Sequence, residues 1–315
     1  MIIENQFLIG DNLEIMSSLA DESVDLVYMD PPYNSGRDFG EFQDKFPSMY
    51  EYSQKFLLPR FEEIHRVLTK NGNLVVHIEP KNSHHVRVAI EDVFGEKNFR
   101  NEIVWKSGGN AKNKKQLGRY HDTLLVYSKT KAPTYNPIYL PYDDKYKKKS
   151  SVKVCPTTDR QYVTTAIHNS QPDVNPRMNL RYEWNGHSRQ WYVSLEKMKK
   201  LHDDDRLQYN QRGVPRIKRF LDEMDGIPVR DLWTDINQIQ GWEKLSYPTQ
   251  KPVRLLERVI QLYSNEEELV LDPFAGSGTA AHAAILHNRK YLMIDINENG
   301  KTEFLKRRTD KKDKR

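Results

Sequence analysis

Two short motifs near opposite ends of the chain hold residue types that do chemistry: Asp30-Pro31-Pro32-Tyr33, and Asp272-Pro273-Phe274-Ala275-Gly276-Ser277-Gly278-Thr279. Each follows an apolar run that reads as a buried strand, Val24 to Met29 before the first and Glu268 to Leu271 before the second. Two consecutive prolines fix φ twice and bias Asp30 toward an extended backbone. The Asp30 carboxylate and the Tyr33 ring are thereby held in a set geometry at a strand's carboxyl end, where open α/β sheets bind ligands. A carboxylate, a rigid Pro-Pro and an aromatic suit a flat, amine-bearing substrate. In the second motif Gly276 and Gly278 permit a tight turn and close backbone approach, and Thr279 begins a helix. No Lys follows Gly278 and the Gly-x-x-x-x-Gly-Lys spacing is absent, which argues against a phosphate loop. The next strand ends at Asp295, 17 residues after Gly278. That carboxylate is placed to take both hydroxyls of a ribose or to cap the helix after it. Together the motifs predict group transfer to a planar amine from a cofactor pressed against backbone.

The elements that must position these motifs alternate. Gln6 to Ile9 reads as a strand, Asn12 to Leu19 as a helix and Val24 to Met29 as a strand. Tyr50 to Leu68 has apolar residues close to a 3.6 period and reads as one long helix, stopped by Asn71-Gly72, before a strand at Leu74 to Ile78. Asn101 to Lys106 and Thr123 to Tyr127 add β-rich runs around a basic loop. After Ser246 a helix (Val253 to Tyr263), a strand (Leu269 to Leu271), a helix (Thr279 to His287) and a strand (Tyr291 to Asp295) follow. The expected fold is α/β, a Rossmann-like, mostly parallel sheet with helices on both faces. Residues 131–245 lack a clear period but hold four of the five tryptophans, Trp184, Trp191, Trp233 and Trp242. They read as an ordered, irregular inserted module. The predicted domains are therefore 1–130, 131–245 and 246–315, the first and last forming one catalytic unit.

Composition narrows the partners. No apolar run approaches the roughly 18 residues of a membrane span, and Met1 to Asn5 lacks the basic start and apolar stretch of a signal peptide, so a cytoplasmic protein is expected. A lone cysteine, Cys155, excludes an internal disulfide framework and a thiolate metal cluster. His84-His85 lack an accompanying carboxylate or cysteine cluster, and no metal is predicted. The net charge of +5 is unevenly spread: Lys97 to Arg160 holds 15 Lys/Arg against 5 Asp/Glu, and Lys301 to Arg315 holds 8 against 3. Net +10 and +5 in those two runs leave about −10 for the rest. Segregated positive charge is what a polyanion partner requires, because phosphate neutralisation supplies most non-specific nucleic-acid affinity.

Asp-Pro-Pro-Tyr with Phe-x-Gly-x-Gly resembles the S-adenosylmethionine-dependent amino DNA methyltransferases, which methylate adenine N6 or cytosine N4. The order of catalytic motif first, variable region in the middle and cofactor motif last is similar to the β class. Further segments agree. Gly10-Asp11-Asn12 resembles the acidic turn near the cofactor adenine. Asn101 to Lys106 with His121 to Tyr127 resembles the strand pair beside the target-base pocket, and Tyr247-Pro248-Thr249-Gln250-Lys251-Pro252 the segment whose Lys lies near the methionine end. Arg181 to Gly186 and Gly213 to Arg216 look like the middle region of type III-like modification methylases. After Asp295 the chain runs into charge where the family continues with a more apolar helix, so a thin last layer of the fold is expected. The larger type III members are much longer, and a compact, stand-alone enzyme is expected.

The resemblance implies that Asp30, Pro31, Pro32 and Tyr33 are catalytic, with Asp30 and the Pro31 carbonyl each accepting one N–H of the target amine. It implies cofactor contacts from Asp11, Asp30, Lys251, Asp272, Phe274, Ala275, Gly276, Ser277, Gly278, Thr279 and Asp295. An amine lone pair delocalised into the ring is a poor nucleophile, and pulling the nitrogen toward tetrahedral geometry frees it. The target nucleotide must flip out of the duplex, and Tyr33 stacking on it is worth roughly 1–3 kcal/mol. Double-stranded DNA is the expected partner, gripped by Lys106, Lys112, Lys114, Lys115 and Arg119. Asn185, Arg189, Arg212 and Arg216, with Arg181, are candidates for base contacts. The resemblance also allows a homodimer and a restriction subunit or endonuclease as partner. Adenine N6 is the expected target, since Asp rather than Ser opens the first motif. N4-cytosine methylation and a non-catalytic nucleic-acid-binding subunit are the alternatives.

Overall fold

A computed structural model describes residues 4–38, 43–108, 117–170, 177–239, 241–247 and 249–309. Lys112, Lys114 and Lys115 lie outside the described residues. The strands of the main sheet are β1 (Gln6–Ile9), β2 (Val24–Met29), β3 (Leu68–Ile78), β4 (Phe99–Trp105), β5 (Asp122–Ser128), β6 (Leu232–Trp233), β7 (Leu269–Asp272) and β8 (Lys290–Asp295). The helices around it are α1 (Asn12–Ser17), α2 (Leu58–Val67), α3 (Ser83–Phe94), α4 (Val253–Tyr263), α5 (Thr279–Leu286) and α6 (Glu298–Thr309). Spatial order is β1-β8-β7-β2-β3-β5-β4-β6, with every neighbouring pair parallel except the two made by β5.

Alternation along the strands explains why both faces are covered. Val27, Met29, Leu74, Val76, Ile78, Leu125 and Leu271 form one buried cluster with Met16 of α1, Phe61 and Ile64 of α2 and Val86 and Ile90 of α3. The residues between them (Leu26, Tyr28, Val75, His77, Leu124 and Val126) are equally buried. Strands inaccessible on both sides read as continuous apolar runs, as β2 and β5 do. A polar residue within such a run, like His77, must then find partners inside the fold.

The strand order also creates the site. From β7 the chain continues through α5 to β8 on one side, whereas from β2 it continues to β3 on the other. β7 and β2 pair in parallel, Val270 opposite Leu26 and Leu271 opposite Val27. Their carboxyl ends therefore lie side by side where the connections diverge, the place where such sheets open a crevice. The two motifs leave those ends.

The helix expected over Tyr50 to Leu68 divides into a wider π-type turn, Glu51–Leu57, and α2, which ends at Val67 because Leu68 already adopts extended backbone. The layer expected to be thin after Asp295 is instead filled by α6. Gly300 lies against the glycine turn so closely that a Cβ there would sit 2.0 Å from the Gly276 carbonyl oxygen. Phe304 is buried against Phe7 and Tyr291. Three residues of a charged helix thus do what an apolar helix would: one lets the backbone approach, and Phe304 and the buried Arg307 fill the interface.

The chain separates into two compact units, Met1–Ile138 with Arg230–Arg315, and Tyr139–Val229. The sequence pattern put the boundaries at 130 and 245. Residues 230–239 instead add β6 to the main sheet beside β4, and the Trp105 indole donates to the Ile236 carbonyl (2.9 Å). A two-residue strand has no period to read. The second unit is more regular than its sequence suggests. It holds a four-stranded antiparallel sheet in the order Leu207–Tyr209, Pro215–Phe220, Gln161–Ala166, Lys153–Val154, and a hairpin Arg181–Trp184 with His187–Gln190. Trp191 anchors its core with Ile167, Met198 and Leu207, its indole donating to the Tyr182 carbonyl (2.9 Å). Among the described residues no helix is long and apolar enough to cross a membrane.

Substituting Gly300→Ala is expected to destabilise the protein by about 1–3 kcal/mol through backbone overpacking. The matched exposed change Ser17→Ala should be nearly neutral, and thermal unfolding of the two variants checks this.

Candidate active site

At the β2 end, Asp30 accepts hydrogen bonds through both carboxylate oxygens: Tyr33 O–H donates to Oδ1 and the Lys251 ammonium to Oδ2. Lys251 Nζ also lies 3.1 Å from the Tyr33 hydroxyl and 5.3 Å from its ring centroid. Side chains of Lys251 and Asp30 are 14 % and 16 % exposed, so their mutual attraction is screened less than that of a surface ion pair. Burial, with Asp30 adding to it, pushes the Tyr33 phenol well above its ordinary pKa, and it stays a donor. Asn82 fixes the backbone by donating to the Tyr33 carbonyl. Asp44, almost fully buried, accepts from Asn34 N–H (2.6 Å), Ser35 N–H (3.0 Å) and the Ser35 hydroxyl (2.6 Å), which shapes the loop after Tyr33.

Beneath this group lies a polar chain across three strands. Tyr28 of β2 bonds through its hydroxyl to His77 Nδ1 of β3 (2.9 Å), and His77 Nε2 faces Asp122 Oδ2 of β5 at 3.5 Å. A neutral ring with its proton on Nε2 suits both neighbours. Burial, then the Lys251 charge, depress the His77 pKa, against the pull of Asp122. Asp122 titrates low: burial raises its pKa, but the His77 and Lys251 interactions outweigh that. Trp105 packs edge-on to His77 at 5.7 Å.

At the β7 end the turn is pinned to β8. Ala275 N–H donates to the Ile294 carbonyl (3.0 Å) and Gly276 N–H to Asp295 Oδ2 (2.7 Å), while Asp295 Oδ1 accepts from Asn297 N–H (2.8 Å). Asp295 thus holds the turn through Oδ2 and the Asn297 backbone through Oδ1. Gly276 (φ 49°) and Gly278 (φ 72°) are left-handed. A Cβ on Gly276 would meet the Tyr247 ring at 3.1 Å, and one on Gly278 the Phe304 Cβ at 2.8 Å. Tyr247 opens the segment that carries Lys251, so the same close approach seats Lys251 beside the turn. Burial drives the Asp272 carboxyl well above the usual carboxylate range, despite the Phe274 N–H it accepts (2.9 Å).

These parts enclose one cavity of about 1020 Å³. Asp11, Asp30, Pro31, Pro32, Tyr33, Lys251, Asp272, Phe274, Ala275, Gly276, Ser277, Thr279 and Asp295 all line it; Gly278 stands behind, against α6. Asp11 caps α1 through Leu13 N–H (2.8 Å) and pairs with Arg60 (3.1 Å). Of the residues expected at phosphates, Arg119 lines the cavity and pairs with Glu79 (2.6 Å), whereas Lys106 is exposed, its ammonium 5.4 Å from the Tyr120 ring centroid. In the second unit Arg189 and Arg212 are exposed. Asn185 is committed to the Gly213 carbonyl (2.8 Å), and Arg216 to Thr164 through its hydroxyl (3.0 Å) and carbonyl (3.1 Å).

Several cavity residues escaped sequence reasoning. Phe46, Phe56 and Phe274 form an aromatic wall, their rings 4.8 and 6.0 Å apart in sequence. Arg60 looks like an interruption of a helical apolar face. His77 and Asp122 did carry a signal, since each is a titratable residue in or beside a fully buried strand.

A Rossmann-like sheet, a glycine turn tied to an acidic strand end and a carboxylate on the adjacent strand are the parts expected of a methyltransferase. A DNA methylase family model, N6_N4_Mtase, matches residues 24–306, and the chain belongs to that family. It is 28 % identical to the type II methyltransferase M.EcaI of Enterobacter cloacae, over 94 % of this chain and 67 % of that protein. It is 26 % identical to the DNA adenine methyltransferase YhdJ of Escherichia coli K12, over 94 % of this chain and 79 % of that one. The fold is shared with the cytosine-N4-specific PvuII DNA methyltransferase at a TM-score of 0.55 and 17 % identity, covering 99 % of this chain and 88 % of the other.

His77 takes up a proton more readily when unfolded, at about 6.5, than in the fold. The unfolded state therefore binds more protons between those two values, and His77 weakens stability as pH falls below about 6.5, with a slope of at most about 1.4 kcal/mol per pH unit. Urea unfolding at pH 7, 6 and 5 is expected to show a shallower fall for His77→Gln than for the parent protein.

Proposed function

We propose that this chain transfers the methyl group of S-adenosylmethionine to the N6 amine of a flipped-out adenine in double-stranded DNA. The observation that carries the reading is Asp30, held by Tyr33 and Lys251 at one strand end, directly beside a glycine turn at the next. The cavity residues fit an adenosyl cofactor: a left-handed glycine turn whose backbone lines the cavity at Gly276, the Asp295 carboxylate at the end of the neighbouring strand and aromatic surface at Phe274. Bound there, S-adenosylmethionine supplies an activated methyl group. Lys251 provides the positive charge for its carboxylate end.

The protein's own work is on the amine. Asp30 and the Pro31 carbonyl each accept one N–H group, which frees the nitrogen lone pair for in-line attack, and charge-assisted acceptance is the stronger of the two. The nitrogen becomes cationic on methylation and loses a proton readily, so Asp30 need not deprotonate the neutral amine first. Tyr33, held down by Asn82 and Asp30, offers a face for the base. The second unit is the candidate for target recognition, with exposed Arg189 and Arg212 available to DNA and Arg216 committed within its own sheet. A DNA substrate in a bacterial-type methylase also fits a cytoplasmic enzyme.

Nucleoside mass spectrometry of DNA treated with the protein and S-adenosylmethionine is expected to give N6-methyladenine. N4-methylcytosine alone would overturn the choice of base. Asp30→Ala should lower turnover by about 10²–10³-fold or more, and unchanged turnover would remove Asp30 from catalysis.

A further inference from the structure

One guanidinium joins separate stretches of the catalytic unit. Arg60 of α2 is 7 % exposed. It donates through Nε to Asn12 Oδ1 (2.6 Å), through Nη1 to the Phe56 carbonyl (2.8 Å) and through Nη2 to Asp11 Oδ2 (3.1 Å). Its plane rests on the Phe56 ring, 4.0 Å from the centroid. Asn12, also 7 % exposed, carries the link onward: its Nδ2 donates to the carbonyl of Pro273 at 2.6 Å. Pro273 is the second residue of the glycine turn. Elsewhere the turn is tied to β8 through Ala275 and Gly276, and within itself through Asp272.

The turn is thus held from two sides. β8 fixes it from one, and the Arg60–Asn12 relay fixes it from the other, against α1 and α2. Apolar packing sets such a position loosely, whereas a buried amide with one acceptor and one donor each matched sets it tightly, because leaving either unmatched is costly. Lys could not replace Arg60, since a point charge cannot serve three acceptors at the angles of a planar fork.

We propose that Arg60 and Asn12 are a positioning pair for the cofactor turn, so that cofactor affinity depends on residues whose polar groups are spent on protein rather than ligand. This rests on the reading above that the turn holds S-adenosylmethionine. Two substitutions separate the links. Arg60→Lys keeps the charge and loses the fork. Asn12→Asp keeps an acceptor for Arg60 but puts a carboxylate oxygen against the Pro273 carbonyl, and it sits in the first turn of α1, where a negative charge favours the helix.

Titration calorimetry with S-adenosylhomocysteine and fluorescence anisotropy with duplex DNA read the outcome on protein shown to be folded by thermal unfolding. Each variant is expected to raise the Kd for S-adenosylhomocysteine about tenfold, with the DNA Kd within about twofold of the parent. The double variant should fall well short of the product of the singles, since both cut one relay. Parent-like cofactor affinity in Asn12→Asp overturns the proposal even if Arg60→Lys does not fold. Effects that multiply, or an equal loss of DNA affinity, also overturn it, because they mark general loosening. A parent protein that binds no S-adenosylhomocysteine overturns the cofactor reading itself.

Discussion

Everything at the site depends on the parallel pairing of β7 with β2. That ladder brings together strands from opposite ends of the chain, and with Val270 opposite Leu26 their carboxyl ends leave the sheet at one level. Because the connections diverge there, backbone turns away on both sides and leaves room for a cofactor and a base. The separation of the two turns is then set by strand spacing, about 4.8 Å between neighbours, and not by loop length. A register slip in that ladder would reverse which side chains face each way and dismantle the site.

Electrostatics within the crevice are economical in charge. Burial raises the Asp272 pKa and lowers that of His77, while Asp30 and Lys251 form a partly buried ion pair. Breaking such a pair from one side leaves an uncompensated charge in a low dielectric. The phenols of Tyr28 and Tyr33, with pKa values pushed up by burial, remain donors throughout the neutral range.

The glycine turn illustrates how several layers converge on a few atoms. Tyr247 approaches Gly276 from one direction, Gly300 reaches its carbonyl from another, and Asn12 and Asp295 bind the flanking backbone. Residues from three separate stretches of chain, around Asn12, Tyr247 and Asp295 to Gly300, therefore define its shape. A left-handed Gly at 276 and at 278 is what allows the backbone to receive them.

Much of this was legible from residue order. Prolines after Asp30 dictate an extended approach, glycines at 276 and 278 dictate a tight turn, and apolar runs between polar helices dictate a parallel sheet, because these are local steric and burial requirements. The reading faltered where geometry is set by distant partners. α6 looked too charged to pack, yet Gly300 and Phe304 suffice, and β6 is too short to show a period. Arg60, Asn12, His77 and Asp122 gain their roles only from neighbours dozens to hundreds of residues away. Sequence by itself thus determined the chemistry available, a carboxylate beside a rigid aromatic turn and a glycine-rich cofactor turn. Only the tertiary structure decided which groups meet, since hydrogen bonding and desolvation act between atoms that the strand ladder, not the chain, makes adjacent.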